Sequence, residues 1–452
     1  MNTKNIIEGN PTKKFFIEMI TRDISIEDAI IDLLDNSVDG ANRINPDNYE
    51  GLSINIQIND SEFIIQDNCG GFSLDTAQKY AFRFGRPNEA PNEQNTIGRF
   101  GIGMKRSLFK MGKYFEVETQ TNENHFRVNV DVERWSQQMQ EVVDSSGNKI
   151  SIDDWNFNYE LVEEKLENNG TIIKVNLLHS EVSELFKNDN FLNELANSIQ
   201  KQLNFSLLKG LTIHLNGRHL EAKQITLLMS DDVKPYFSEG TLGHGEIKYR
   251  LIAGLGEIGT PKDSGWYIYC NNRLVVDADT SNLTGWGISG VPKWHVDYVM
   301  FRGILFLDAK DTINLPLTTT KKGIDATSEI YQSVLPLMKN AMIQILDFLK
   351  KIPAMKASAN EYREMLCETL DSINTVHLKS DEIWVGYLQK NFIPPKLDMD
   401  LISQKKQSVR IAYDVNKTLA DSAKSYSHVP SYKDLGQLTF DYYIQLEQIT
   451  NE

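Results

Sequence analysis

A carboxylate and an amide one helical turn apart, Asp32 and Asn36, stand in the run Asp32-Leu33-Leu34-Asp35-Asn36-Ser37-Val38-Asp39-Gly40. At that spacing the first side chain has the chemistry to take a proton from water, and the second to hold a divalent cation beside phosphate oxygens. Downstream, Asp67-Asn68-Cys69-Gly70-Gly71 follows an apolar stretch. Its carboxylate can accept a hydrogen bond from a ring amino group, and its glycines let backbone approach a flat base. The third segment, Gly98-Arg99-Phe100-Gly101-Ile102-Gly103-Met104-Lys105, is a glycine-rich loop opening a helical pattern. Free amides and the helix dipole favour phosphate there, and Lys105 adds a positive charge. Each segment taken alone has a plainer reading: a solvated helix face, a tight turn, a glycine-rich surface loop.

The elements that must position these groups follow from patterning. Ile26, Ile30, Leu33, Leu34 and Ala41 fall on one side of a helical wheel between Ser25 and Ala41, while Asp28, Asp32, Asn36 and Asp39 line another strip. That predicts an amphipathic helix. Leu52 to Ile58 predicts a strand that turns through Asn59-Asp60 into Phe63-Ile64-Ile65, a hairpin ending at Asp67. Gly85, Pro87, Pro91, Gly98, Gly101 and Gly103 break the pattern from Asp75 to Gly103, which predicts a loop leading into a helix. Lys113 to Trp135 alternates twice and predicts an antiparallel pair; Asn169-Gly170-Thr171 precedes another strand, Ile172 to Val175. The first domain is expected over 1–225. A second unit, 226–352, carries strands near Glu246–Ala253, Gly265–Cys270 and Gly303–Leu307 and a long helix from Ala326 to Ile352, closed by Pro353. The segment 353–452 carries helical patterns at Val415–Tyr426 and Tyr432–Glu447 and no assignable motif.

With 452 residues, 40% of them hydrophobic, the chain has material for two or three cores. No run of about 18 apolar residues occurs and the N-terminal stretch lacks an uninterrupted apolar segment, so a cytoplasmic protein without membrane contact is expected. Cys69, Cys270 and Cys367 lie far apart with no CxxC pair, which suggests isolated thiols. Lys and Arg number 47 against 62 Asp and Glu, a net −15 that argues against nonspecific nucleic-acid binding over the whole surface. The glycine loop is neither a GxxxxGK[ST] phosphate loop nor the strand-closing fingerprint of a βαβ unit.

Taken in order, D-L-L-D-N-S-V-D-G, D-N-C-G-G, I-G-R-F-G-I-G-M-K and N-G-T resemble the motif set of the GHKL superfamily, which contains the ATP-binding gyrase polypeptide, the Hsp-type chaperones, MutL and the MORC ATPases. The resemblance covers roughly the first 225 residues and looks nearest to MORC-like and MutL-like members. It implies an α+β chain: an N-terminal Bergerat-type α/β sandwich, with an antiparallel or mixed sheet and helices on one face, then an α+β transducer-like domain and a mainly helical C-terminal segment. It also implies ATP and Mg²⁺ as cofactors. Asn36 resembles the magnesium ligand, Asp67 the adenine-binding aspartate, and Thr171 the threonine supporting the adenine pocket. Gly98, Gly101, Ile102, Gly103, Met104 and Lys105 resemble the phosphate-binding lid, and Asp39 and Gly71 count among the nucleotide-binding positions. Asp32 stands where the family usually has a glutamate base, and Cys69 where it usually has glycine. Thr318 to Gly323 corresponds to the transducer loop whose lysine reaches the γ-phosphate, implying Lys321, with Lys322 as the alternative. Tyr269 to Arg273 resembles a transducer hairpin with Asn271-Asn272 as its turn.

Relatives with other chemistry are excluded. A histidine kinase needs a phospho-accepting histidine on a helix before the ATP domain, whereas the first of eight histidines here is His125, inside a predicted strand. A MutL-type endonuclease needs a metal cluster, and the C-terminal segment offers only His377 and His428 with scattered acids; Asp398-Met399-Asp400 reads as surface acids. Two functions remain: an ATP-hydrolysing switch that closes into a homodimer and clamps or recruits a protein or DNA, or a nucleotide-sensing module with little turnover. Kinship with MORC and MutL implies a role beside DNA, as in defence against phage. It also implies that Met1 to Thr21 cross to the partner subunit with Phe15, Phe16, Ile17 and Ile20; the competing expectation is a helix packed on its own domain.

Overall fold

Three residues that accept backbone hydrogen bonds start the first helices and strands off in register. Thr12 caps α1 (Lys13–Arg22), Ser25 caps α2 (Ile26–Ile44), and Asn59 closes the turn between β1 (Ser53–Ile58) and β2 (Glu62–Asp67) through the amides of Ser61 and Glu62. The computed structural model describes residues 9, 11–85, 102–143, 147–257, 261–318, 323–354, 375–377, 390–395, 411 and 413–449. By its contacts the chain divides into two compact units, Met1–Leu397 and Asp398–Glu452.

The first sheet region continues with α3 (Leu74–Thr76), α4 (Gly103–Met111), β3 (Gly112–Gln120), β4 (His125–Asp131), α5 (Val132–Ser136), β5 (Met139–Val143), β6 (Lys149–Asp153), β7 (Glu160–Leu161) and β8 (Gly170–Leu178). It closes with α6 (Ser180–Phe186), α7 (Asp189–Gln202), α8 (Asn204–Leu208), β9 (Thr212–Leu215) and β10 (Arg218–Leu220). Eight strands order as β10-β9-β1-β2-β8-β3-β4-β7; β1 and β9 are parallel and the other neighbours antiparallel. In β1 Ile54, Ile56 and Ile58 are buried while Asn55 and Gln57 are exposed, so one face of the sheet meets helices and the other meets solvent. Leu33 and Leu34 of α2, Leu108 of α4 and Leu195 of α7 share one core with Phe63, Phe115 and Val175 of the sheet. This is the mixed sheet with helices on one face that the sequence predicts.

The predicted strand through Trp135 stops earlier. Asp131 accepts a hydrogen bond from the Arg134 amide and starts α5, which turns Trp135 into an aromatic cluster, stacked on Phe157 with centroids 4.9 Å apart. An alternating apolar pattern carries no sign of such a local cap. Helix α1 packs on its own domain: Phe16 meets Phe84 and Trp155 edge to face, Ile17 and Ile20 lie against the core, and Phe15 is exposed.

The second sheet uses β12 (Tyr236–Leu242), β13 (Ile247–Leu255), β14 (Gly265–Cys270), β15 (Arg273–Asp279) and β16 (Phe301–Ala309), in the order β12-β13-β16-β14-β15 with β14 and β16 parallel. Before it, β11 (Thr226–Leu228) pairs with β17 (Thr375–His377), and α9 (Glu329–Ala354) packs along β13 and β16. Helix α9 begins three residues later than the expected Ala326, because the Asp325 carboxylate holds Thr327 in a turn first, and it runs one residue past Pro353. In the C-terminal unit, Asn416 and Ser431 cap α10 (Lys417–Ser427) and α11 (Tyr432–Leu446), both close to their predicted spans. No helix among the described residues is long and apolar enough to cross a membrane. Cys69 and Cys270 are buried free thiols, and Cys367 lies outside the described residues.

Candidate functional site

Helix α2 is buried almost all round, and its polar residues are not a solvated face. Asp32, Asp35, Ser37 and Asp39 are buried, whereas Asn36 is exposed. Buried carboxylates need partners, because a lone charge out of water is costly. A helix advancing about 100° per residue puts Asp32, Asn36 and Asp39 along a central line, with Ser37 and Gly40 to one side and Asp35 to the other. Each sector meets a different part of the molecule.

On the first side, Ser37 donates to Asp67 Oδ2 at 2.7 Å, while Asp67 Oδ1 accepts from the amides of Cys69 at 2.9 Å and Thr171 at 3.3 Å. Asp67 of β2 pairs in register with Thr171 of β8, and Thr171 with Thr119 of β3, so three neighbouring strands bring one carboxylate and two hydroxyls together. The two threonine hydroxyls lie 3.3 Å apart, and Thr119 Oγ1 also accepts from the Phe72 amide. Burial raises the Asp67 pKa above the ordinary value, and the Ser37, Cys69 and Thr171 hydrogen bonds pull against it. Asp67 is thus a half-buried, partly desolvated carboxylate that still has hydrogen-bond partners for its ionised form.

Glycines set the closeness of this cradle. Gly71 has φ +63°, and a Cβ there would lie 2.4 Å from the Gln120 carbonyl oxygen and 2.8 Å from Thr119 Oγ1. A Cβ on Gly40 would meet the Cys69 carbonyl oxygen at 2.5 Å, so α2 can sit on the Asp67 turn only through glycine. Cys69 takes the place expected of glycine, with its side chain buried in the core.

On the central line, Arg106 of α4 donates to Asp32 Oδ2 at 2.5 Å, with both side chains buried. A Cβ on Gly103 would come within 3.4 Å of the same oxygen, so the first turn of α4 abuts the carboxylate. Ile102 holds the N-cap position of α4, and Met104 packs partly against the core. Lys105 points inward: its Nζ donates to the Ala81 carbonyl at 2.7 Å and lies 5.7 Å from the Phe84 ring centre. Burial pushes its pKa down to about 7. Gly98, Gly101, Lys321 and Lys322 lie outside the described residues.

The donor set fits a nucleotide with magnesium. Asn36 is the exposed amide on an otherwise buried stretch of α2, and magnesium binds through one or two protein oxygens while keeping waters and substrate phosphates. No group of three or more His, Cys, Asp or Glu able to hold a metal occurs among the described residues. Sequence reasoning missed Ser37, Thr119 and Arg106 as members. Ser37 lies inside the first motif and Arg106 directly follows the third, and Thr119 was hidden in an apolar alternation; only strand register brings it to Thr171.

Residues 24–164 match the family of histidine kinase-, DNA gyrase B-, and HSP90-like ATPases. That match contains three of the four motifs, from Asp32 through Lys105, and supports a GHKL-type ATPase domain and ATP binding by it. The fourth, Asn169-Gly170-Thr171, lies beyond the matched stretch and is joined to it by the Asp67–Thr171 pairing. No curated protein matches the chain.

Proposed function

We propose that this protein is a GHKL-type molecular switch that binds Mg-ATP and hydrolyses it. The observation that supports it best is the convergence of Ser37, the Cys69 amide and the Thr171 amide on the half-buried Asp67 carboxylate, beside a helix whose exposed amide is Asn36. In this reading Asp67 accepts from the adenine amino group with Thr171 and Gly71 shaping the pocket, and Asn36 and Asp39 face the metal and phosphates. Gly98, Gly101, Ile102, Gly103, Met104 and Lys105 form the lid. Asp32 takes the proton of the attacking water, and Lys321 answers charge on the terminal phosphate. Closure of the lid gates a homodimer or recruits a protein or DNA partner, in keeping with the MORC-like and MutL-like resemblance and a role in phage defence.

A second reading, a nucleotide sensor with little turnover, is favoured by one contact: Arg106 occupies the carboxylate that would act as base. Phosphate release by the parent and by an Asn36→Ala variant separates the two. Release that the substitution abolishes supports the switch; tight ATP binding by calorimetry with no release above the variant's level supports the sensor.

A further inference from the structure

We propose that Arg273 of the second sheet is a positioning residue, and that its ion pair with Asp35 couples the nucleotide helix α2 to that sheet. This rests on the nucleotide reading above and adds the element that would carry its state outward.

Arg273 is the first residue of β15, directly after the Asn271-Asn272 turn, where both asparagines hold positive φ (47° and 65°). That left-handed pair sets a tight turn and fixes where the arginine leaves it. Its guanidinium donates from Nη1 to Asp35 Oδ2. Asp35 lies three residues after Asp32 and directly before Asn36, so a displacement at Asp35 acts on the turn of α2 that carries the proposed base and the proposed metal ligand. The side chains are 3% and 0% exposed, and neither charge can be left behind in the interior without a partner. Displacing one therefore strains the other. A planar guanidinium also presents its donors in a fixed fork, which a lysine ammonium does not.

Arg273 also faces the charges of Asp32 and Asp28, so its guanidinium addresses the acidic side of α2 as well as Asp35 directly. Beside the pair lies a cavity of about 270 Å³ lined by Asp39, Asn42, Tyr49, Phe205, Asn272 and Arg273, so α2 and the hairpin tip are not tightly packed there. Other contacts to the hairpin leave from α7 and α8: Lys201 with Asp277 at 2.8 Å, and the Asn204 amide to the Tyr269 hydroxyl at 3.1 Å. Arg273 joins these too, through Nη2 to Gln202 Oε1 at 3.4 Å. It is a junction of α2, α7 and β15. A pair that merely fills the seam would be expected to tolerate any replacement that preserves packing; a coupling pair would not.

The test is hydrogen exchange on the full chain with magnesium and a non-hydrolysable ATP analogue. It compares the parent with the double variant Asp35→Asn/Arg273→Gln, which keeps two hydrogen-bonding neutral groups in place, and with Arg273→Lys. In the parent, nucleotide is expected to slow exchange several-fold in α2 and also in β14–β15. In the double variant α2 protection should persist while the β14–β15 response is lost, and Arg273→Lys should retain part of it. A β14–β15 response that survives in the double variant, or that is missing in a parent whose α2 is protected, overturns the coupling. Absence of α2 protection in the parent instead overturns the nucleotide reading, and the coupling with it. If the double variant fails to fold, Arg273→Lys decides: an undiminished response refutes the role of the guanidinium.

Discussion

Arg106 donates to Asp32 across 2.5 Å, and both side chains are buried. One sits on α2 and the other in the first turn of α4, so the carboxylate and the start of the helix after the glycine-rich segment are locked together. A carboxylate held by a guanidinium is a weaker proton acceptor than a free one. Arg106→Met should strip the Asp32 carboxylate of this buried cation and cost about 3–5 kcal/mol of stability, read from urea unfolding midpoints. Asp32→Asn keeps a hydrogen-bonding group there. It should hold ATP affinity while lowering phosphate release about a hundredfold or more. Release at the parent rate would take Asp32 out of the chemistry.

For Asp67 the direction of the pKa shift makes a pH prediction. Burial raises it above the ordinary 3.8, so the folded protein binds this proton more readily than the unfolded chain. Its contribution to stability is full below the ordinary value and is lost as pH rises through the folded one. Nucleotide binding runs the other way, because the ionised carboxylate is the better acceptor for an amino group. ATP affinity should fall as pH drops through the raised pKa. Asp67→Ala should weaken binding about tenfold or more at neutral pH and flatten that acid limb, as measured by calorimetry. An unchanged affinity would remove Asp67 as the adenine reader.

Much of this was legible in the sequence because the motifs carry local geometry: an amphipathic helix, a hairpin ending at Asp67, and glycines that let backbone come close. Partners far apart in the chain were not legible. Thr119 reaches Thr171 through strand register, Arg273 reaches Asp35 across more than two hundred residues, and neither leaves a trace in periodicity. Burial of Asp32 and Asp39 was also hidden, since a polar strip reads as solvated until its partners are known.

Gly71→Ala tests how closely the cradle is built. The added methyl meets a backbone carbonyl at 2.4 Å and a β-strand hydroxyl at 2.8 Å, and alanine also resists φ +63°. Backbone strain alone costs about 1–3 kcal/mol. The variant should lose at least that much stability and bind ATP more weakly, whereas Gly51→Ala, at φ +83° with nothing nearby, should show the strain cost and leave ATP binding unchanged. Equal nucleotide affinity in both variants would mean that Gly71 does not shape the site.

Lys105 offers a proton-counting test of the phosphate-binding segment. Burial lowers its pKa from 10.5 to about 7, with Nζ held on the Ala81 carbonyl. The unfolded chain therefore binds this proton more tightly between those values, and stability should rise with pH across that window. The difference in melting temperature between Lys105→Met and the parent should shrink as pH climbs through it; a constant difference would mean that Lys105 keeps its ordinary pKa. If nucleotide phosphates approach Lys105, their negative charge favours the ammonium and raises its pKa. At about pH 8 the side chain is mostly neutral beforehand, so ATP binding should take up close to one proton. Calorimetry in buffers of different ionisation enthalpy reads that uptake directly, and Lys105→Met should abolish it. Equal uptake in parent and variant would leave Lys105 as a core residue bonded to Ala81 and assign phosphate recognition to the amides at the start of α4 alone.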